Sequence, residues 1–276
     1  MARHRQILFD ALRQGHKAVL VSVQEVQGSA PRDEGAWMAY IDDSRLINTL
    51  GGGQLEYQAI DQAKSLLDGL AASKSLQPIT KRYPLGPSLG QCCGGVVHLS
   101  YRVVGPVDLA ELELQLSQAE PALALFGAGH VGKALIDVMS QLPWQVTWID
   151  SRDQIFPASL PFGVNVEHSD PVAYAVDDLT EHTHVLIMSF SHAEDLDIVA
   201  RCLQRARTGF QFASIGLIGS ATKWATFQHR LLERGFTQAE LNRVRCPIGL
   251  PGIEGKEPEV IAVSVVAQLL MDESRA

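Results

Sequence analysis

Only four cysteines are scattered through 276 residues, too few and too irregularly placed for a disulfide framework. No apolar run approaches the ~20 residues that a membrane-spanning helix needs. The first residues are broken by Asp10, Arg13 and Lys17 and lack the apolar core of an export signal. The sequence therefore points to a reducing, cytoplasmic setting. Basic clusters are also missing. Lys and Arg number 23 against 31 Asp and Glu, a net charge of −8, which speaks against non-specific nucleic-acid binding. Any anionic ligand must be held locally, by helix ends and single cationic side chains. There are no repeats and no low-complexity tracts. What remains, 46% apolar and 20% charged, is an ordinary globular composition, long enough for two domains.

The most informative stretch is 122–150. Residues 122–126 are apolar enough for a strand buried on both faces. Gly127, Gly129 and Gly132 follow in G-x-G-x-x-G spacing. In that fingerprint the first glycine allows a tight turn, the second a close approach to pyrophosphate, and the third close helix–strand packing. Val131, Leu135, Val138 and Met139 recur at helical spacing, and the helix they predict would point its free N–H groups and positive dipole end at a phosphate. A second strand ends in Asp150, placed to accept a hydrogen bond from a ribose hydroxyl.

Around this unit the expected fold class is α/β: a C-terminal Rossmann-like doubly wound parallel sheet over 122–276, a smaller N-terminal α+β domain over 1–105, and a linker over 106–121. The first half reads as a helix at 3–14, strands at 17–26, 37–41, 80–83 and 96–104, and a helix running from the glycines at 51–53 to about 70. In the second half, strands are expected at 164–167, 184–190 and 210–215, and a fully buried helix at 258–270.

Several residue groups offer chemistry. Cys92 and Cys93 are adjacent and flanked by glycine, which does not fit C-x-x-C zinc spacing but leaves soft thiolates accessible. Gly51, Gly52 and Gly53 precede a helix and could present N–H groups to an anion, or form a simple turn. Ser191 and Glu194 have capping-box spacing, with His192 between them as a polar contact or base. Lys223 follows the glycines at 216 and 219, and Ser220 is placed to cap a helix. Lys256 stands just before Pro258, an N1-type proline, where it can meet an anion or water.

Taken together, the stretches Gly28-Ser29-Ala30-Pro31-Arg32, Gly51-Gly52-Gly53-Gln54-Leu55-Glu56, Gly90-Gln91-Cys92-Cys93-Gly94-Gly95, Gly127-Ala128-Gly129-His130-Val131-Gly132, Ser191-His192-Ala193-Glu194-Asp195 and Cys246-Pro247-Ile248-Gly249-Leu250-Pro251-Gly252 resemble the XdhC/CoxI family along the whole chain. Asn48-Thr49-Leu50 departs from the Gly-Thr-Ile expected there. The resemblance implies a maturation role rather than a metabolic reaction. Such proteins bind molybdenum cofactor (molybdopterin), hold it while a cysteine desulfurase installs its terminal sulfido ligand, and help insert it into the molybdenum subunit of xanthine dehydrogenase. It also implies a homodimer. The candidate cofactor-binding residues are Arg32, Gly52, Gly53, Gln91, Cys92, Cys93, His192 and Lys256, with Cys92 and Cys93 as candidate contacts to molybdenum, together with Gly127, Gly129, Gly132 and Asp150 from the glycine fingerprint. The competing expectation is an oxidoreductase using NAD(P) or FAD in the Rossmann crevice, with Asp150 and His192 essential and the cysteines dispensable.

Overall fold

The computed structural model describes residues 2–69, 77–86, 94–116 and 120–274, and the chain divides into two compact units, Met1–Gln118 and Ala119–Ala276. In the first unit, β1 (Ala18–Gln27), β2 (Trp37–Ile41), β3 (Leu46–Asn48), β4 (Ile79–Pro84) and β5 (Val96–Val104) form an antiparallel sheet in the order β3-β2-β1-β5-β4. Alternate residues of β1 feed opposite faces. Val19, Val21 and Val23 pack with Leu55, Ala59 and Ala63 of α2 (Gly53–Gly69). Ala18 and Leu20 pack with Leu8 and Leu12 of α1 (Ala2–Arg13). Covering both faces explains why β1 reads as a near-continuous apolar run. The segment expected as a linker holds a short 3-10 turn (Pro106–Asp108) and α3 (Leu109–Leu116). Leu112 is buried in the same core as α1, and Arg102 binds Asp108 and Glu111, so this helix packs with the first unit.

The second unit is a six-stranded parallel sheet in the order β11-β10-β9-β6-β7-β8. Its strands are β6 (Ala122–Phe126), β7 (Gln145–Asp150), β8 (Val164–His168), β9 (His184–Ile187), β10 (Ser214–Leu217) and β11 (Val244–Arg245). Two helices, α4 (His130–Met139) and α8 (Pro258–Glu273), cover one face. The other is covered by α5 (His192–Arg207), α6 (Ala221–Glu233), α7 (Gln238–Leu241) and a 3-10 turn (Val172–Asp178). This is the doubly wound arrangement expected from the sequence. The chain reverses its direction of winding between β6 and β9, which puts the ligand crevice beyond the carboxyl ends of β6, β7 and β9.

The short strands β3 and β11 are not among the expected strands, and three expected elements differ in extent or burial. β9 stops at Ile187, and Phe190, expected inside that strand, is 66% exposed. β10 begins only at Ser214, where pairing with His184 starts. The apolar residues before it serve another purpose: Phe210 meets Phe212 edge-on, and the Arg205 guanidinium lies 3.6 Å from the Phe210 ring centre. Finally, α8 is not buried all round. Its inner face includes Ser264 and Gln268, whereas Val263, Leu270 and Met271 are exposed.

Candidate functional site

Two of the fingerprint glycines are demanded by packing. Gly127 has φ +118°, and a Cβ there would stand 2.0 Å from the Met188 carbonyl oxygen. A Cβ on Gly132 would stand 2.1 Å from the Gly127 carbonyl oxygen. Gly129 is different. Its φ is −75°, which any residue adopts, and a Cβ would meet nothing within 4 Å. It is the N-cap of α4 and supplies no side-chain cap. The second fingerprint position thus faces open space at a helix start.

Asp150, expected from the fingerprint to meet a ribose, has partners within the chain. Its carboxylate is 2% exposed and already engaged. Oδ2 accepts the Ala128 N–H at 2.6 Å and Arg152 Nη2 at 2.8 Å, while Oδ1 accepts the Arg152 N–H and Nε at 2.9 Å. Burial pulls the carboxyl upward, but the Arg152 and backbone hydrogen bonds outweigh it and hold the group below its ordinary value. Asp150 therefore braces the glycine loop and Arg152 instead of standing free for a ribose.

The residues after β9 also depart from the simple capping box. Ser191 Oγ does cap α5, accepting the Glu194 N–H at 3.2 Å. The Glu194 carboxylate does not fold back onto Ser191; its Oε1 accepts Ser151 Oγ–H at 2.6 Å. Glu194 Oε2 is buried without a hydrogen-bond partner. His192 is exposed, with its ring edge-on to Phe227 at 6.3 Å. A buried ion pair that sequence reasoning misses lies alongside. Lys223 Nζ donates to Asp195 Oδ2 at 2.6 Å and to the Ile218 carbonyl at 2.8 Å, while Asp195 Oδ1 accepts both the N–H and the hydroxyl of Ser189 at 2.8 Å. Its one signal in the sequence is that Asp195 and Lys223 both follow the ends of apolar strands.

In the first unit, the glycine turn supplies its own anion. Glu56 Oε2 accepts the N–H groups of Leu50 at 2.8 Å and Gly52 at 3.2 Å, together with the Thr49 hydroxyl. Gly51, Gly52 and Gly53 all have positive φ. A Cβ on Gly51 would stand 2.6 Å from Pro31 Cβ and 3.4 Å from Arg32 Cγ, so the 28–35 loop rests against this turn. A Cβ on Gly95 would stand 2.4 Å from the Ser29 carbonyl oxygen, so the same loop also touches the end of the cysteine stretch. Arg32 is half-buried and has no hydrogen-bond or ion-pair partner among the described residues. Gln91, Cys92 and Cys93 lie outside the described residues.

From the last motif, Pro247–Gly252 line a cleft of about 670 Å³ with Arg245, Val260, Ser264, Gln268 and Met271, and Cys246 is not part of that lining. Lys256 is exposed and is not part of that lining. Burial raises the Cys246 thiol; Lys223 opposes this and Asp195 adds to it. Cys202 is fully buried in the α5 core and its thiol is pushed far up, as suits packing. Among the described residues no His, Cys, Asp and Glu side chains group as a metal site, and no helix is long and apolar enough to cross a membrane.

Family models match both units. One, described as XdhC Rossmann domain, covers residues 123–269, and another, XdhC and CoxI family, covers residues 11–77. Molybdenum cofactor insertion chaperone PaoD of Escherichia coli (strain K12) is 22% identical over 96% of this chain and 87% of its own length. A probable xanthine dehydrogenase subunit of Bacillus subtilis (strain 168) is 28% identical over 100% of this chain and 99% of its own length. The uncharacterized protein YqeB of E. coli is 24% identical over 93% of this chain, but the chain spans only 44% of that relative's length. The crystal structure of a xanthine dehydrogenase from Bacillus halodurans shares the fold, with TM-score 0.77 at 20% identity over 99% of this chain and 96% of that one.

Proposed function

The chain belongs to the XdhC/CoxI family, and we propose that it is a carrier of molybdenum cofactor that helps insert the cofactor into a xanthine dehydrogenase-type molybdoenzyme. The observation that carries this reading is the meeting of family stretches in the first unit. One loop rests on the Gly51 turn through Pro31 and Arg32 and on Gly95 through Ser29, and Gly95 is two residues past Cys93. Arg32, half-buried and without a partner among the described residues, suits the phosphate of a pterin cofactor. The thiols of Cys92 and Cys93 suit soft molybdenum. Because Glu56 already takes the Gly52 N–H, Arg32 and not the glycine backbone is the main phosphate contact in this reading. The bound cofactor brings a phosphate and a dithiolene-held molybdenum; the chain's part is to bind and shield them. The insertion role that PaoD carries in its name points the same way.

The finer steps belong to the same reading. The carrier works as a homodimer and holds the cofactor while a cysteine desulfurase supplies the terminal sulfido ligand. A nicotinamide- or flavin-dependent oxidoreductase has less support, because Asp150 is engaged by Ala128 and Arg152 and His192 meets only an aromatic edge among the described residues.

The test is anaerobic purification from cells making the cofactor, followed by oxidation and fluorescence detection of released pterin. Wild-type protein carries pterin. Arg32→Ala, Cys92→Ser and Cys93→Ser retain less of it with unchanged circular dichroism, and xanthine dehydrogenase matured with the cysteine variants is assembled but inactive. Pterin-free wild-type protein from such cells overturns the reading.

A further inference from the structure

We propose that the second unit carries a serine nucleophile, Ser214, activated by His184 and Glu273, and that it hydrolyses carboxylic esters bearing an anionic group. This goes beyond the cofactor reading and does not rest on it. The three residues meet at the amino ends of β9 and β10, the end of the sheet opposite the crevice. His184 opens β9, Ser214 opens β10 and pairs with it, and Glu273 ends α8. His184 Nδ1 lies 2.8 Å from Ser214 Oγ, and His184 Nε2 lies 2.7 Å from Glu273 Oε1. An ionised carboxylate only accepts, so Nε2 carries the ring proton and Nδ1 of the neutral ring accepts the Ser214 hydroxyl. The imidazole is 2% exposed, and its ring centre stands 5.1 Å from that of Trp144, which holds it in place. Nucleophile, base and orienting acid thus stand in a chain, the arrangement that activates a hydroxyl.

The serine is reachable. It is half-buried and lines a cleft of about 620 Å³ with Asn242, Arg243, Arg245 and Cys246. Strand register puts it on the α8 side of the sheet. Ser214 shares a face with Gly216, whose partner across the ladder is Arg245, and Arg245 reaches Asp272 of α8 at 2.7 Å. Arg245 is therefore occupied within the fold. Arg243 is exposed and has no side-chain partner among the described residues, so it is the cation left to meet a ligand. It selects an ester with a carboxylate elsewhere in the molecule, because a guanidinium grips a carboxylate through paired hydrogen bonds. In the reaction, Ser214 Oγ bonds to the ester carbonyl carbon and its proton passes to His184 Nδ1. The carbon–oxygen bond to the alcohol breaks, and the alcohol leaves with that proton. Water then attacks the acyl-serine and gives a proton to Nδ1; the acid departs as Ser214 Oγ takes this proton back. Glu273 stays ionised and acts as a positioning residue, holding the Nε2–H and stabilising the charge that forms on the ring.

The test is incubation of the full chain with a fluorophosphonate probe followed by peptide mass mapping, together with hydrolysis of p-nitrophenyl acetate and mono-p-nitrophenyl succinate. Wild type takes up the probe on Ser214 and hydrolyses the succinate ester with the higher kcat/KM. Ser214→Ala takes up no probe and lowers kcat by about a hundredfold or more. Glu273→Gln lowers kcat by about tenfold or more with KM and Tm unchanged, a split that a purely structural brace does not give. Arg243→Ala removes the preference for succinate over acetate. Absence of probe from Ser214 in the wild-type chain overturns the proposal, whatever the variants do. So does hydrolysis by wild type no faster than by Ser214→Ala.

Discussion

Gly127 and Gly129 occupy equivalent places in a pattern but answer to different forces. Gly127→Ala drives a methyl into the Met188 carbonyl at a backbone angle that side chains avoid. It is expected to cost about 4 kcal/mol or more, the range of severe backbone and packing damage. Gly129→Ala adds a methyl to open space. It is expected to cost no more than ~1 kcal/mol, the N-cap preference alone. Urea denaturation of the two variants reads the contrast, and equal losses would show that the glycine loop is held otherwise. The same scale explains what the sequence discloses. Ser191 and Ser220 are readable as caps because their targets are three residues away. The partner of Glu194 is not readable, because its carboxylate goes to Ser151, 43 residues back. Asp150 is visible as an acid at a strand end, but its saturation depends on how Arg152 and the Ala128 N–H fold around it, which no spacing rule carries.

At the scale of elements, periodicity locates the helices and strands but not their limits. Strand ends are set by the neighbouring strand. β10 begins where His184 is available to Ser214, although the apolar pattern starts four residues earlier. For α8, the apolar composition conceals an inner face that is partly polar. Ser264 Oγ accepts the Leu250 N–H at 2.8 Å, and the Gln268 amide both donates to and accepts from Gly249 at 3.0 Å. Two side chains of one helix thus fix the irregular loop that walls the 670 Å³ cleft. Ser264→Ala and Gln268→Ala each leave half-buried main-chain groups unpaired, at a cost of about 1–3 kcal/mol. Amide exchange at Gly249 and Leu250 is expected to accelerate in both variants while exchange in β6 and β9 stays slow. Unchanged protection in the loop would mean that other contacts hold it without these bonds.

Across the whole molecule, the change of rhythm near residue 120 is the most legible feature, because parallel β-α alternation and antiparallel strands leave different patterns. Surface chemistry is less legible. Val263, Leu270 and Met271 are exposed on α8 and Ile253 on the loop beside it, an apolar set of the kind that associating surfaces carry. With the dimer proposed above, light scattering is expected to give twice 30.1 kDa at micromolar concentration, and Leu270→Glu with Met271→Glu to lower it toward a single chain. A single-chain mass for wild type across dilution would remove the dimer. The strand order of the second sheet also governs the molecule while it is being made. β6 pairs early with β7 on one side, but its other neighbour, β9, does not begin until His184. At ~5–20 residues per second, ribosomal synthesis leaves that side of β6 unpaired for on the order of 3–12 s. During this interval an apolar strand with free main-chain groups leaves the ribosome, open to holding factors or to neighbouring nascent chains, until the His184–Ile187 strand arrives and closes it.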